Sequence, residues 1–446
     1  MWYNTMSSLF GTDGVRGRAN VDLTPELVLS LAQAAGAVLA SPGGRVIIGR
    51  DTRTSGPMFE GALAAGFASC GFEVLLAGVI PTPAISFLIK DERADLGAVI
   101  SASHNPPEDN GIKFFERHGM KLGIEDERAI EAAMSNPVRR SLAVGGVRLL
   151  EAASTRYAAF LTGTIEIEEI DLSKSTIVVD CAYGATGAIA PRVLRHLNAN
   201  VVELNTSLDG ARINEGCGST CLEPLRAAVV DNHADLGIAF DGDGDRVLLV
   251  SPRGETIDGD QMMGIAALHM HKKGILDPPL VVTTVMSNLG LEEVLKEEGI
   301  QVIRTPVGDR NVTEAMLAHG AQIGGEQSGH IIFSDHSPTG DGILTAVKLL
   351  EIAHESGMAL GELGEMIPLL PQAMCNVPVD DPQRLFNEPF LQDLIEEEKG
   401  YLGNEGRILV RPSGTQPLLR VMVESKDKER SERICLRIAE KIKKPS

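Results

Sequence analysis

Short apolar runs of strand length alternate with amphipathic segments of helix length along residues 1–360, and this alternation constrains the fold more than any other feature. Parallel strands need long crossover connections, which are usually helices, so the pattern predicts mixed, mostly parallel sheets covered by helices. This alternation of predicted strands and helices occurs in three successive segments, which predicts three related α/β domains.

The predicted elements of these three domains follow the apolar runs. In the first domain they are strands 45–49, 72–77 and 96–100 and helices 24–40 and 58–69. In the second they are strands 176–180, 201–204 and 236–240 and helices 188–197 and 222–232. In the third they are strands 280–285, 301–304 and 322–323 and helices 291–298, 311–319 and 341–355.

The alternation ends at Pro368 and Pro371, which disfavour both helix and central strand and predict a linker. Beyond it, predicted strands 373–379, 407–410 and 418–424 precede a helix with one apolar face, which predicts a small C-terminal α+β domain. A chain of 446 residues exceeds the size of one hydrophobic core. We predict domains at 1–150, 151–252, 253–367 and 368–446, carrying in turn a serine loop, a metal loop, a sugar loop and a phosphate loop.

The charge balance limits the partners of the chain. Its 61 acidic and 41 basic residues leave a formal charge of −20, which repels nucleic acid and anionic membranes and favours a small-molecule substrate. No run approaches the roughly 18 apolar residues of a membrane span, and the first residues lack the pattern of a signal peptide. We therefore expect a cytoplasmic protein whose six scattered cysteines are reduced thiols. Cys217 and Cys221 lack a second pair of ligands for a zinc site.

Ser103 lies in the run 101–106, which follows the apolar run 96–100 and so places a hydroxyl at the end of a buried strand. Nucleophiles and ligands of α/β enzymes are commonly found there. A serine hydroxyl needs an activating base, a metal or a covalent group before it does chemistry. A plain loop that ends the strand is the alternative, and adjacency alone does not make His104 a base.

Three carboxylates alternate with two glycines in the loop after predicted strand 236–240. They belong to Asp241, Asp243 and Asp245. Glycine lets the backbone curl so that alternate carboxylates converge, and oxygen-only ligation suits Mg²⁺. An EF-hand shares the aspartate spacing, but Arg246 occupies its required glycine and Pro252 its final glutamate. A solvated acidic turn is the remaining alternative.

Two further loops carry groups suited to a sugar phosphate. The loop 324–330 offers the side chains of Glu326, Ser328 and His330, which suit vicinal sugar hydroxyls, or else forms a simple hairpin turn. The loop 411–415, followed by Arg420, combines two guanidinium groups with two hydroxyls and a glycine, which suits a phosphate dianion, or else is a surface turn. A glycine-spaced turn at 11–17 exposes Arg16.

Taken together, these loops resemble the α-D-phosphohexomutase superfamily along essentially the whole chain. The segments that carry the resemblance are 11–17, 103–106, 109–115, 241–246, 284–288, 325–330 and 411–415. The resemblance implies a heart-shaped enzyme of four domains around a central cleft, a monomer or a homodimer. Its implied activity is that of an intramolecular phosphotransferase of the isomerase class, which interconverts glucosamine 6-phosphate and glucosamine 1-phosphate for UDP-N-acetylglucosamine synthesis. A phosphoserine enzyme and glucosamine 1,6-bisphosphate, or glucose 1,6-bisphosphate as activator, are implied with it.

The resemblance also implies a role for each site residue. Ser103 is the phosphoserine and a Mg²⁺ ligand together with Asp241, Asp243 and Asp245. The further catalytic residues are Lys113, Arg16, Arg246 and His104. The sugar ligands are Glu326, Ser328 and His330. The phosphate ligands are Arg411, Ser413, Gly414, Thr415 and Arg420.

Some positions depart from the superfamily pattern. Cys221 stands where relatives commonly have histidine, Gln416 where they commonly have glutamate, and the segment 208–212 also differs. A phosphomannomutase or phosphoglucomutase of broader specificity is therefore a second hypothesis. A metal-dependent sugar phosphatase and a non-catalytic sugar-phosphate sensor are the hypotheses from other classes.

Overall fold

The computed structural model of the chain describes residues 9–11, 13–39, 43–135, 141–167, 170–413 and 417–443. The chain divides into two compact units. The first comprises Met1–Met286 and Ile300–Met366, and the second comprises Ser287–Gly299 and Ile367–Ser446. All three predicted α/β domains contribute a sheet to the first unit, and the predicted α+β domain forms most of the second.

The first sheet has six strands in the order β1-β5-β4-β2-β3-β6. Its strands are β1 (Val15–Arg18), β2 (Arg45–Arg50), β3 (Glu73–Val79), β4 (Leu96–Ile100), β5 (Asp109–Glu116) and β6 (Val147–Leu149). Its helices are α1 (Pro25–Leu39), α2 (Gly56–Ser69), α3 (Thr82–Glu92) and α4 (Ile124–Met134). Strands β2, β3, β4 and β6 are parallel, whereas β5 pairs antiparallel with both β4 and β1. Part of the predicted turn at 11–17 is therefore edge strand β1.

The second sheet has the order β11-β10-β9-β7-β8. Its strands are β7 (Thr176–Asp180), β8 (Asn200–Leu204), β9 (Leu236–Phe240), β10 (Val247–Val250) and β11 (Thr256–Ile257), with helices α5 (Ala153–Gly163), α6 (Ala190–His196) and α7 (Glu223–Asp231). The three strands predicted here are parallel, and β10 and β11 continue the sheet antiparallel. Loop 241–246 is thus the connection between β9 and β10.

The third sheet has the order β13-β12-β14-β15. Its strands are β12 (Leu280–Thr284), β13 (Gln301–Thr305), β14 (Ile323–Gly325) and β15 (Ile331–Phe333). The helices of this part of the chain are α8 (Gly259–Lys272), α9 (Leu289–Glu297), α10 (Asp309–His319), α11 (Gly342–Ser356) and α12 (Leu360–Glu365). Strands β14 and β15 are antiparallel, so the predicted sugar loop joins the two strands of a hairpin.

The second unit has an antiparallel sheet in the order β16-β18-β17. Its elements are β16 (Gln372–Pro378), α13 (Pro382–Phe386), α14 (Pro389–Leu402), β17 (Gly406–Pro412), β18 (Leu418–Ser425) and α15 (Lys428–Lys443). Helix α15 buries the predicted apolar face, which consists of Cys435, Ile438, Ala439 and Ile442. The predicted fold class, three α/β domains with mixed, mostly parallel sheets and a C-terminal α+β domain, is confirmed.

The central strands of the first unit are buried on both faces because helices cover them. All five residues of β4 and of β9 are buried. Their continuous apolar sequences are typical of parallel strands. Polar residues that follow these strands are therefore held against a rigid edge of a sheet. Among the described residues, every helix is too short or too polar to cross a membrane.

Candidate active site

Ser103 lies three residues beyond the end of β4 and is 2% exposed. Its φ is +52°, a left-handed conformation that costs energy in residues other than glycine. Its Oγ donates a hydrogen bond of 2.6 Å to Asp241 Oδ2 and lies 3.4 Å from His104 Nδ1. The structure therefore places the predicted nucleophile against the predicted metal loop.

The loop after β9 brings three buried carboxylates together. Asp241, Asp243 and Asp245 each offer an oxygen within 4.8 Å of the others, and the described residues contain no other such group of acidic, histidine or cysteine side chains. Gly242 permits this approach, since a Cβ there would lie 2.7 Å from the carbonyl oxygen of Ser103. The predicted convergence is present, and the alternative of a solvated turn does not fit full burial.

The donor set fits a hard divalent cation. Burial, and then the charges of Asp245 and Asp243, raise the pKa of Asp241 well above its usual value. Asp243 Oδ1 and Asp245 Oδ1 are buried without a hydrogen-bond partner. Carboxylate oxygens are the ligands that Mg²⁺ prefers, and two buried oxygens without partners are available for one.

Lys113 supplies a cation beside these carboxylates. It lies on β5, and its Nζ is 3.0 Å from Asp243 Oδ2, 2.9 Å from Asp13 Oδ2 and 4.0 Å from Asp245 Oδ2. Burial disfavours its charged form, but the carboxylates of Asp13 and Asp243 raise its pKa above the ordinary lysine value. The ammonium group therefore stays charged at neutral pH.

Asp13 forms ion pairs with several cationic side chains near β1. Besides Lys113 it contacts Arg16 Nη2, and its Oδ1 accepts a hydrogen bond of 2.6 Å from Lys121 Nζ. Lys121 in turn contacts Asp309 at the start of α10. Burial opposes the charged form of Asp13, but the neighbouring cations hold its pKa well below the usual range. Asp13, Lys121 and Asp309 were not predicted as site residues.

The remaining predicted catalytic side chains lie around Ser103 and the aspartates. Arg16 Nη1 donates to Asn105 Oδ1 at 3.4 Å, and Arg246 Nε lies 4.0 Å from Asp245 Oδ1. Burial and the charges of Arg246 and Arg16 lower the pKa of His104 to about 4. His104 is therefore neutral at neutral pH and cannot serve there as a fixed cation.

The hairpin between β14 and β15 carries the predicted sugar ligands. Glu326 Oε1 accepts a hydrogen bond of 3.0 Å from the backbone N–H of Gly308, and Ser328 Oγ lies 3.3 Å from Glu326 Oε2. His330 Nε2 accepts from the N–H of Gly340 at 3.2 Å, so its other ring nitrogen carries the proton. That nitrogen lies 3.5 Å from Asp245 Oδ2. Glu326 and Ser328 are half-buried, whereas both ring nitrogens of His330 face protein groups.

In the second unit, Arg411 and Arg420 are paired residues of β17 and β18. The N–H of Ser413 donates to the carbonyl of Leu418 at 2.9 Å, which closes the turn between the two strands. Gly414 and Thr415 lie outside the described residues. The structure thus shows two neighbouring guanidinium groups at the base of the predicted phosphate loop.

Sequence reasoning also missed side chains that orient the predicted ones. Thr82, at the start of α3, donates from Oγ1 to Asp243 Oδ2 at 2.6 Å. Asp51 and Arg53 follow β2, the strand next to β4, and contact the serine loop. The detectable signal was a polar run directly after a buried strand, the same signal that singled out Ser103.

A serine hydrogen-bonded to one of three clustered aspartates, beside a buried lysine, is an arrangement suited to phosphoryl transfer. Models of the phosphoglucomutase/phosphomannomutase domains match nearly the whole chain. The matched residues are 7–140 (α/β/α domain I), 155–254 (α/β/α domain II), 258–369 (α/β/α domain III) and 374–441 (C-terminal domain). The chain therefore belongs to the phosphoglucomutase/phosphomannomutase family.

Individual relatives agree with this assignment. A phosphoglucosamine mutase from Pelotomaculum thermopropionicum is 51% identical over 445 residues, which is 98% of this chain and 99% of the relative. Another from Carboxydothermus hydrogenoformans is 49% identical over 436 residues, 96% of this chain and 98% of the relative. The crystal structure of a phosphoglucomutase/phosphomannomutase family protein from Burkholderia thailandensis covers 98% of each chain at a TM-score of 0.83 and 25% identity. The predicted resemblance and enzyme class, an intramolecular phosphotransferase, are confirmed.

Proposed function

We propose that this chain is a phosphoglucosamine mutase, which interconverts glucosamine 6-phosphate and glucosamine 1-phosphate. The observation that carries the proposal is the 2.6 Å contact between Ser103 Oγ and Asp241 in a cluster of three buried aspartates. The name shared by two relatives at about half identity over nearly the whole chain supports the amino sugar as substrate.

Two phosphoryl transfers through Ser103 account for the isomerisation. In the first, O1 of glucosamine 6-phosphate attacks the phosphorus of phosphorylated Ser103, the bond from phosphorus to Ser103 Oγ breaks, and the O1 proton ends on Oγ. In the second, Ser103 Oγ attacks the phosphorus at position 6 of the 1,6-bisphosphate, the bond to O6 breaks, and the serine proton ends on O6. The product is glucosamine 1-phosphate, and Ser103 is phosphorylated again.

The side chains around Ser103 supply charge and position for these transfers. Lys113 lies between Asp13 and Asp243, so its charge is fixed near the phosphoryl group. We assign Arg16 and Arg246 the stabilisation of phosphoryl oxygens. Neutral His104, 3.4 Å from Ser103 Oγ, can accept a proton during the transfer.

Asp241, Asp243 and Asp245 are the residues that would hold Mg²⁺, together with the phosphate of Ser103. The bound ion would neutralise phosphoryl charge. Glucosamine 1,6-bisphosphate, or glucose 1,6-bisphosphate, would act as activator because it can phosphorylate Ser103.

Glu326 and Ser328 on the hairpin are assigned to sugar hydroxyls. The predicted sugar ligand His330 is assigned instead to positioning Asp245, because its ring nitrogens face Gly340 and Asp245. In the second unit, Arg411, Ser413 and Arg420, with Gly414 and Thr415, are assigned to the phosphate that is not being transferred. Because the phosphate that does not react is bound separately, either O1 or O6 of the sugar can be placed at Ser103.

Intact-mass spectrometry combined with an isomer assay tests the proposal. We expect one phosphate on the purified chain, located on the Ser103 peptide. Excess glucosamine 6-phosphate should remove it when the 1,6-bisphosphate dissociates, and added 1,6-bisphosphate should restore it. Ser103→Ala should lose the phosphate and the conversion of glucosamine 6-phosphate. Full activity in Ser103→Ala would refute the mechanism.

Specificity constants separate the amino-sugar enzyme from the broader one. We expect kcat/KM to be higher for glucosamine 6-phosphate than for glucose 6-phosphate and mannose 6-phosphate. A preference for the last two would identify a phosphoglucomutase or phosphomannomutase instead. Release of inorganic phosphate without isomer formation would identify a phosphatase.

A further inference from the structure

Arg53 is fully buried, and its guanidinium group donates hydrogen bonds to backbone carbonyl oxygens of the serine loop. Its side chain is 0% exposed and pairs with Asp51 at 2.9 Å. The loop carbonyls that accept from it are those of Ser103 (3.0 Å), Asn105 (2.8 Å), Asp109 (2.9 Å) and Pro106. A buried charge is expensive unless it is paired and hydrogen-bonded, so these contacts fix the loop backbone.

Asp51 connects this arginine to the amide side of Ser103. Its Oδ2 accepts from Arg53 Nε at 2.9 Å and from Ser101 Oγ at 2.6 Å. The same Ser101 Oγ accepts the backbone N–H of Ser103 at 2.8 Å. Strands β2 and β4 are parallel neighbours, with Arg50 paired to Ile100, so Asp51 and Ser101 emerge side by side.

Asn214 holds the other side of the loop. Its Nδ2 donates to the carbonyl oxygens of Ser103 at 2.8 Å and of Asn105 at 3.1 Å. The carbonyl of Ser103 therefore accepts two bonds, one from Arg53 and one from Asn214. With the N–H held by Ser101, both peptide groups that set the orientation of the Ser103 side chain are fixed.

The left-handed φ of Ser103 needs such fixation. A conformation of this kind costs on the order of 1 to 3 kcal/mol and persists only where the surroundings over-determine it. We propose that Asp51, Arg53, Ser101 and Asn214, here named the loop frame, are positioning residues that aim Ser103 Oγ at the transferring phosphoryl group. The loop frame acts through the backbone of Ser103, and the inference rests on the proposed phosphoserine mechanism.

Ser101→Ala is the mildest test, because it removes one hydroxyl and leaves the arginine pair intact. Ser86→Ala is a matched control: Ser86 is also 0% exposed, lies in the same sheet domain, and donates to the carbonyl of Gly119 at 2.6 Å. Ser101→Ala loses two buried hydrogen bonds, the one to Asp51 and the one from the Ser103 N–H, whereas Ser86→Ala loses one. We therefore expect both melting temperatures to decrease, that of Ser101→Ala by somewhat more. Ser101→Thr keeps the hydroxyl and serves as the conservative variant.

We expect kcat to fall while KM stays nearly constant. For Ser101→Ala, kcat for glucosamine 6-phosphate should fall about 10-fold to 100-fold while KM changes less than about 3-fold, because a misaimed nucleophile affects the transition state. Transfer of phosphate from glucose 1,6-bisphosphate to unphosphorylated Ser103, followed by intact mass, should slow by the same factor. Ser86→Ala should keep wild-type kcat, and Ser101→Thr should recover most of it.

Equal kcat in Ser101→Ala and Ser86→Ala would overturn the inference, as would a fall that only follows stability. If Ser101→Ala does not fold, Asn214→Gly replaces it, since glycine keeps the left-handed backbone of residue 214, φ +61°, and removes the amide. Wild-type kcat in that variant would overturn the inference. The proposed function fails separately, through an active Ser103→Ala or an unphosphorylated wild type.

Discussion

Arg411 and Arg420 lie directly opposite each other across the antiparallel strands β17 and β18. Opposite residues of such a pair point to the same face, where two like charges destabilise the sheet. Arg420 Nε is buried without a hydrogen-bond partner. An anion bound by both guanidinium groups would relieve the repulsion and satisfy that donor, which supports a phosphate ligand for the second unit.

We therefore expect Arg420→Met to weaken phosphate binding. Hydrogen bonds to charged groups contribute about 1.5 to 3 kcal/mol, so KM for glucosamine 6-phosphate should rise about 10-fold to 100-fold. Steady-state kinetics measure this change. Arg384→Met is the control, since Arg384 lies in the same unit with its side chain 79% exposed. Equal KM values in the two variants would contradict the assignment.

Asp241→Asn should separate metal binding from folding. Asp241 bonds to Ser103 Oγ and to the backbone N–H groups of Gly244 and Arg246, contacts that an amide can preserve. Removing one of three crowded charges should make the metal-free variant more stable than the metal-free wild type. Thermal unfolding with EDTA, followed by Mg²⁺, measures both states.

The wild type should then gain about 2.7 kcal/mol of stability from Mg²⁺ at 100 times the dissociation constant, as should a variant with an intact aspartate cluster, whereas Asp241→Asn should not. Asp180→Asn is the control, because Asp180 is also buried at a strand end but lies outside the cluster. An undiminished gain in Asp241→Asn would exclude the aspartate cluster as the metal site.

Lys121→Met should destabilise the first unit. Lys121 is 14% exposed and contacts both Asp13 and Asp309. Removing one partner of a buried pair leaves uncompensated charge, so we expect a loss of about 3 kcal/mol, measured by chemical denaturation. Lys273→Met removes an ion pair of a lysine that is 37% exposed and should cost less than about 1 kcal/mol. Similar losses in both variants would contradict this prediction.

Asp341→Asn should change how stability depends on pH. Burial raises the pKa of Asp341 from 3.8 to about 6, although it caps α11 and accepts a bond from Tyr157. Between these pH values the folded chain holds a proton that the unfolded chain has released, so stability falls as pH rises and stays lower above pH 6.

The Asp341→Asn variant carries no ionisable group at this position, so it does not lose this stability as the pH rises. Relative to the wild type, the variant should gain on the order of 2 to 3 kcal/mol between about pH 4 and about pH 7.5. Melting temperatures of both proteins across this range measure the difference. A difference that does not vary with pH would show that Asp341 does not titrate in this window.

The buried central strands were predictable, since apolar residues dominate their sequences. Strands β4, β7 and β9 have the predicted bounds. Strands β1 and β5 were not predicted, because their pairing depends on residues far apart in the chain, such as Val15 opposite Ile112. The short, polar edge strand β1 in particular carries little local signal for such pairing.

The candidate site likewise contains residues that local sequence spacing predicts and residues that it does not. Asp241, Asp243 and Asp245 alternate within five residues, so their convergence follows from local spacing. Asp13 was not predicted because its partners, Lys113 and Lys121, are distant in the chain. The predicted domain boundaries at 150, 252 and 367 stay predictions, as do the catalytic roles and the oligomeric state.

The backbone at Ser103 also limits which amino acid could take the proposed role of phosphoryl carrier. Threonine has the same hydroxyl chemistry, but a β-branched side chain is strongly disfavoured at a φ of +52°. The loop geometry thus discriminates between two chemically equivalent alcohols before any substrate is present. The identity of the proposed nucleophile is therefore a requirement of backbone conformation as much as of chemical reactivity.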